Sequence, residues 1–448
     1  MVYFHPARPA SQGFRGDHPV RSRFTYPSSQ DLSQRPGSAQ HRTREDRGCP
    51  TGPPGPAVRP AARTTARPHD RRAQIVAAAM EHFHASGYQA TCMEEIAAAV
   101  GITAGALYRH FRGKQELLGH SLLGGLDLLS EAASRDDDLD SLLRTVACFC
   151  LDHRSHVGLW SAETRNLSDD HRAEARMRTV AIASLVTTAL RAARPELAPA
   201  DAELTSRAVL CLLAGPSFHR TELPRPRFEN LLCEQTGAVC RTAALPPVSP
   251  CGAPAPRPAP GLRPFSRREA LLTAAVPLLR RHGFQNVGME EIGTAAGFSG
   301  RTVYQRFAGK ADLFAAALRR ESDALKYGLL QILAESSTPG EALQRALEAY
   351  AASAVARGPV ALPPDEASHL PTKERRVLRR LQVDYVAELV ALTACRPELT
   401  EAEARVAVHS SLTLVTLMVR SPLVRQRTNP PRTLAVLALQ GLGFEEPD

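Results

Sequence analysis

An all-α protein made of two tandem modules is what this sequence predicts, and three observations carry the prediction. Hydrophobic residues make up 43% of the chain and aromatics only 5%, which suits Ala- and Leu-rich helical bundles better than sheets. Apolar residues recur at helical spacing through most of the chain. The stretch at 93–114 returns 196 residues later at 289–310, and aligning residues 71–117 with 267–313 gives 17 identical positions of 47. Internal duplication is the simplest cause.

Residues 93–100 read as a short helix with Met93, Ile96, Ala97 and Val100 on one face, ended by Gly101 at the sharp turn a helix C-terminus prefers. Thr103 opens a second short helix, with Leu107 and Phe111 turned inward and Tyr108, Arg109 and His110 outside. Two short helices joined by a Gly turn are the helix-turn-helix signature, in which the second helix enters the DNA major groove. Gly297, Ser299, Val303, Tyr304 and Phe307 repeat the pattern.

The run Glu-Ile-Ala-x-x-x-Gly-Ile-Thr-x-Gly-x-Leu-Tyr-x-His-Phe-x-x-Lys-x-x-Leu resembles the DNA-binding head of the tetracycline-repressor (TetR) family of transcription factors. The resemblance implies double-stranded DNA as partner. It turns Thr103, Ala104, Gly105, Ala106 and Arg109 towards bases and sends Tyr108, His110 and Lys114 to phosphates. Arg can fork onto guanine, Ala and the Thr methyl can touch a thymine methyl, and Lys114 would be a mobile cation at a helix start. In the second copy Ser299, Gly300, Arg301, Thr302, Tyr304, Gln305, Arg306 and Lys310 take the matching positions, so a different half-site is expected. Two departures stand out. Cys92 replaces the Thr that the family places before the second helix, with Thr91 and Glu94 forming a capping box one place earlier, and Gly288 replaces it in the second copy.

Taken in order, residues 1–66 are a basic Pro- and Arg-rich tail without apolar period, for which disorder is expected. A DNA-tethering arm, an inert tail and a start codon set too early all fit it. Head 1 spans 67–117, its first helix carrying Ile75, Ala79 and Phe83 on one face and ending at Gly87. A helical effector and dimerisation domain follows at 118–243, with a long helix from Lys114 ending in Asp136, Asp137 and Asp138 and further helices near 139–156, 169–193, 200–219 and 226–240. A proline-rich spacer at 244–264 follows, and the extended stretch 241–264 would reach roughly 70 Å at ~3.1 Å per residue. Head 2 spans 265–313, with Pro277 set to kink its first helix, and a second effector and dimerisation domain fills 314–448. Arg-Pro-Glu-Leu at 194–197 returns at 396–399, so the duplication runs past the heads.

The formal charge of +9 is misleading, because residues 1–66 hold 10 Arg against 4 Asp and Glu and the stretch 241–264 adds three Arg more. Head 2, with 7 basic and 4 acidic residues at 265–315, is the more electropositive head. Nine cysteines without finger or C-x-x-C spacing, and no apolar leader, read as reduced cytoplasmic thiols. No apolar run approaches the ~20 residues that cross a bilayer, so no membrane partner is expected.

Cys150, His153 and His156 step at i, i+3, i+6 on a predicted helix, but structural zinc wants four converging ligands, so no metal is expected. Phe149, His153 and Trp160 are the candidate lining of an effector pocket. No nucleophile elbow, phosphate loop or His-Glu-x-x-His appears, so neither enzyme activity nor a cofactor is expected. The resemblance implies a regulator, by family habit a repressor, relieved by an unknown small molecule. Two assemblies stay open, an intramolecular pseudo-dimer of the modules and a homodimer of chains. A helical scaffold in which one head, head 2 before head 1, has lost DNA binding is the rival function.

Overall fold

The computed structural model describes residues 68–136, 138–249, 264–358 and 369–444, so the tail at 1–66 and most of the spacer lie outside the described residues. The first half contains α1 (Pro68–Ser86), α2 (Met93–Ala99), α3 (Ala104–His110), α4 (Lys114–Ala133), α5 (Leu139–Asp152), α6 (Arg154–Glu163), α7 (Asp169–Ala193), α8 (Pro199–Leu213) and α9 (Arg225–Cys240). The second contains α10 (Arg267–His282), α11 (Met289–Ala296), α12 (Gly300–Tyr304), α13 (Lys310–Glu335), α14 (Pro339–Arg357), α15 (Thr372–Thr393), α16 (Glu401–Met418), α17 (Pro422–Arg425) and α18 (Pro430–Gly441). The fold is all-α.

Local chemistry explains the boundaries and corrects two expectations. Asp138 ends no helix; it caps α5 by accepting the Ser141 N–H at 3.0 Å. The helix expected through residue 156 breaks at His153, whose φ of −119° and ψ of 40° separate α5 from α6. α10 runs through Pro277 to His282. A proline removes only one backbone donor, and the apolar face of Leu271, Leu272, Ala275, Val276 and Leu279 stays buried on both sides of it.

Each head has its own core, around Ile75, Phe83, Ile96, Leu107 and Phe111 in the first and Leu271, Ile292, Val303, Phe307 and Phe314 in the second. The bundles instead share one: a single buried cluster runs from Leu129 through Val146, Val209 and Leu232 to Leu347, Leu414 and Leu437. α8 and α9 meet α16 and α18 there. The backbones approach closely, since a Cβ on Gly441 would lie 2.8 Å from Leu212 Cδ1 and 2.9 Å from Ser411 Oγ.

Two ion pairs cross this junction reciprocally. Asp201 and Glu403 each stand seven residues after the arginine of an Arg-Pro-Glu-Leu repeat, in the first turn of α8 and α16. Arg227, at the start of α9, pairs with Glu403, while Arg427, just before α18, pairs with Asp201. Such reciprocity is what a two-fold interface imposes. The pairs differ in depth. The Arg427 side chain is only 2% exposed and also donates to Ala200 O at 2.9 Å and Pro246 O at 3.1 Å, beneath a bridge between Val248 and Arg427. The repeats themselves have a shared job: Arg194 Nη1 donates to Cys240 O and Arg396 Nη1 to Leu442 O, both at 2.7 Å, tying each penultimate connection to the end of the last long helix.

Candidate nucleic-acid interface

The turn between the two short helices is built identically in both heads. Gly101 has φ 68° and Gly297 φ 81°, left-handed values at which a Cβ would be strained. The residue after each glycine donates its N–H back to the preceding helix, Ile102 to Ala97 O at 3.0 Å and Phe298 to Gly293 O at 2.8 Å. Leu107 and Phe111, like Val303 and Phe307, then anchor the third helix by burial. Its opposite face is left outside: Tyr108 is 49% and Tyr304 60% exposed.

Thr103 caps α3, its Oγ1 accepting the Ala106 N–H at 3.2 Å, and Gly105, Arg109 and Tyr108 are exposed beyond it while Ala104, Ala106 and His110 are half-buried. The His110 carbonyl accepts from Arg72 Nη1 at 3.2 Å, pinning the end of α3 to α1. In head 2 the Ser299 hydroxyl meets Thr302 Oγ1 at 3.2 Å and makes no cap. Arg301, Tyr304, Gln305 and Arg306 are exposed; Gly300, against Glu290, and Thr302 are half-buried. The side chains of Arg109, Arg301 and Arg306 make no ion pair or hydrogen bond among the described residues, so their guanidinium forks face solvent. Sequence reasoning passed over Arg112, which is exposed one residue beyond the C-cap of α3.

Lys114 requires a correction, and Lys310 with it. The mobile cation expected at the helix start is instead held by three carbonyls, Tyr88 O at 2.7 Å, Gln89 O at 3.3 Å and Thr91 O at 3.0 Å, with its Nζ 4.5 Å from the centroid of the Tyr88 ring. Lys310 repeats this on Phe284 O at 2.5 Å, Gln285 O at 3.5 Å and Val287 O at 2.9 Å, and burial pushes its pKa down. All three donors of each ammonium are spent on the loop between the first and second helices, so these lysines staple the head. The shifted capping box is corrected as well. Thr91 is buried and donates to His82 O and Gly87 O, while Cys92 N donates to Glu95 Oε2 at 3.0 Å, so Glu95 rather than Glu94 closes the turn.

The comparisons follow this geometry. The sequence model for bacterial regulatory proteins of the tetR family matches residues 75–120 and 271–317. The chain is 39% identical over 84 residues to the probable transcriptional regulator ArpR of Pseudomonas putida, covering 18% of this chain and 40% of that protein. It is 37% identical over 84 residues to the transcriptional activator FasR of Mycolicibacterium smegmatis, covering 19% and 38%. The chain thus spans about two fifths of the length of these curated relatives. A tetR-family regulatory protein from Rhodococcus RHA1, solved by crystallography, is 25% identical, with 38% of this chain and 95% of that one covered at a TM-score of 0.35. The chain thus carries two tandem modules, each opened by a head that matches the tetR-family model.

Phe149 and His153 lie with ring centroids 4.4 Å apart at the break between α5 and α6, whereas Trp160 lines a cavity with Arg172, Arg176 and Arg207. Cys150 sits in the bundle core, where burial pushes its thiol up to about 12; burial, with His153 and His84 nearby, pushes His156 down to about 4. Among the described residues no three His, Cys, Asp or Glu side chains group as a metal site would need, and no helix is long and apolar enough to cross a membrane.

Proposed function

We propose that this chain is a cytoplasmic transcriptional regulator that binds double-stranded DNA with its two heads as an intramolecular pair, reads an asymmetric operator, and is released by a small molecule held in a helical bundle. The observation that carries the reading is the reciprocal junction of Arg227 with Glu403 and Arg427 with Asp201, which stands where two separate chains would otherwise have to meet. Arg109 in one head and Arg301, Gln305 and Arg306 in the other then face different half-sites. Tyr108 and Tyr304 are the phosphate-side candidates beside them. Occupying promoter DNA makes repression the default outcome; FasR, named an activator, marks the other sign.

Selection of bound genomic fragments by the full chain, followed by footprinting and a mass measurement in dilute solution, tests the reading. A monomer that protects two unlike half-sites is the expected result. A dimer at nanomolar concentration on a strict palindrome would overturn it and return the homodimer. One observation favours a second reading, a scaffold in which head 2 contributes little: α12 has only five residues and no side-chain cap. The double variant Arg301→Ala, Arg306→Ala separates the two, since a silent head 2 would leave DNA affinity unchanged.

A further inference from the structure

α6, the turn after it, α7 and α8 enclose a cavity of about 520 Å³ lined by Trp160, Thr164, Arg172, Arg176, Thr179, Val180 and Arg207. Its size falls within the range of roughly 300–1,000 Å³ that small-molecule sites occupy. Its chemistry is one-sided. An indole and a valine offer apolar surface, and three guanidiniums converge on it. Two of these are answered within the protein, Arg172 by Asp169 at 2.7 Å and Arg207 by Glu203 at 3.1 Å. Arg176 has no ion pair or hydrogen bond among the described residues. The Nε–H of Arg207 is shut off from solvent and likewise has no acceptor. A buried donor left unmet is costly, and a neutral or cationic guest would leave it so; an anionic oxygen satisfies it and the charge of Arg176 together.

The same wall leads to head 1. Trp160 packs against the core that holds Ile75, Phe83 and Leu107. Glu163, at the end of the same helix and 4% exposed, accepts the Tyr88 N–H at 3.1 Å through Oε1. Tyr88 is also where Lys114 staples the head. A guest that moves the Trp160 end of α6 therefore moves the residue that holds the loop between α1 and α2.

We propose that this cavity takes an amphipathic anion, an apolar body carrying one carboxylate or phosphate head, and that its occupancy reaches head 1 through the Glu163 to Tyr88 hydrogen bond. The proposal rests on the reading of the chain as an effector-released regulator and supplies the chemistry of the effector.

Trp160 is the only tryptophan of the chain, so its emission reports this cavity alone. Titrating the full chain with sodium decanoate, decyl phosphate and decanol is expected to give a saturable change with the two anions. Binding should be at least about tenfold weaker for decanol and for decanoate on Arg176→Met or Arg207→Met, the weight of one charge-assisted hydrogen bond. The tighter of the two anions identifies the head group. Equal affinity for decanol and decanoate, or wild-type affinity in both arginine variants, would overturn the site; Arg176 is exposed, so its variant folds even if that of Arg207 does not. For the second step, bound decanoate should weaken DNA binding in the wild type and in Glu163→Gln, which keeps the acceptor, but not in Glu163→Ala. Decanoate that binds at Trp160 and leaves DNA affinity untouched would sink the effector reading while the anion site stands.

Discussion

Thr103 holds the first turn of α3 by accepting the Ala106 N–H, whereas in head 2 the Ser299 hydroxyl turns to Thr302 and α12 stops at Tyr304. Beneath that difference the heads share three features that shape the backbone: a left-handed glycine in the turn, two buried anchors on the third helix, and a lysine spent on three carbonyls. After a duplication, residues that satisfy buried backbone groups are constrained in both copies by the same geometry. Residues whose side chains are exposed and make no hydrogen bond or ion pair among the described residues, such as Arg109 and its counterpart Gln305, are free to diverge. The difference between the heads therefore lies at the surface that would meet DNA.

The bundles show the same contrast at depth. Both junction arginines face a carboxylate, but Arg427 is enclosed and Arg227 is about one third exposed, with a side-chain exposure of 34%. Arg427→Met is therefore expected to destabilise the chain by about 3–5 kcal/mol, since it strands Asp201 beside buried carbonyls. Arg227→Met should cost about 1–3 kcal/mol, because Glu403 keeps its bonds from Thr400 N and Oγ1. Urea unfolding of the two variants checks the ranking, and equal costs would show that the covering segment around Val248 adds nothing.

The staples come next. Lys114→Met and Lys310→Met should each lower head stability by about 1–3 kcal/mol, read from amide exchange in the loops at 88–91 and 284–287. The salt dependence of DNA affinity should stay as in the wild type; a log–log slope shallower by ~1 would return either lysine to the phosphate.

At the reading surface, Arg109→Ala should relax sequence preference in one half-site and Arg301→Ala in the other, each by about 1–3 kcal/mol of discrimination. Binding-site selection with both variants measures this. Loss of preference in the same half-site would break the assignment of one head to each.

The smallest effect expected is with pH. His219 and His409 stack across the junction with ring centroids 5.0 Å apart, and His219 Nε2 and His409 Nδ1 are shut off from solvent without partners. Burial pushes His409 down to about 4 and His219 well below its usual value, with Arg154 beside His219 and Arg405 beside His409. Depressed values mean the unfolded chain takes up protons that the folded one refuses. Stability is thus full above the ordinary histidine value of about 6.5 and is lost as pH falls towards 4. A falling melting temperature between pH 7.5 and 5, shallower in His409→Gln because His219 and His156 keep their share, is the expected outcome.

Sequence alone determined the all-α class, the two heads, their turn glycines, their buried anchors and which side chains diverge between them. These follow from period and local backbone need, which are written within a few residues. It missed what Lys114, Thr91 and Glu95 do, because a lysine at a helix start satisfies carbonyls 23 to 26 residues away as readily as a phosphate, and spacing does not distinguish them. It also left open which surface the bundles share. Only the tertiary structure decided that Asp201 meets Arg427 across 226 residues, that Glu163 reaches Tyr88, and that Trp160 lines a cavity with three arginines. Those relations depend on how whole helices dock, and docking is set by the summed fit of a buried surface rather than by any short run of residues.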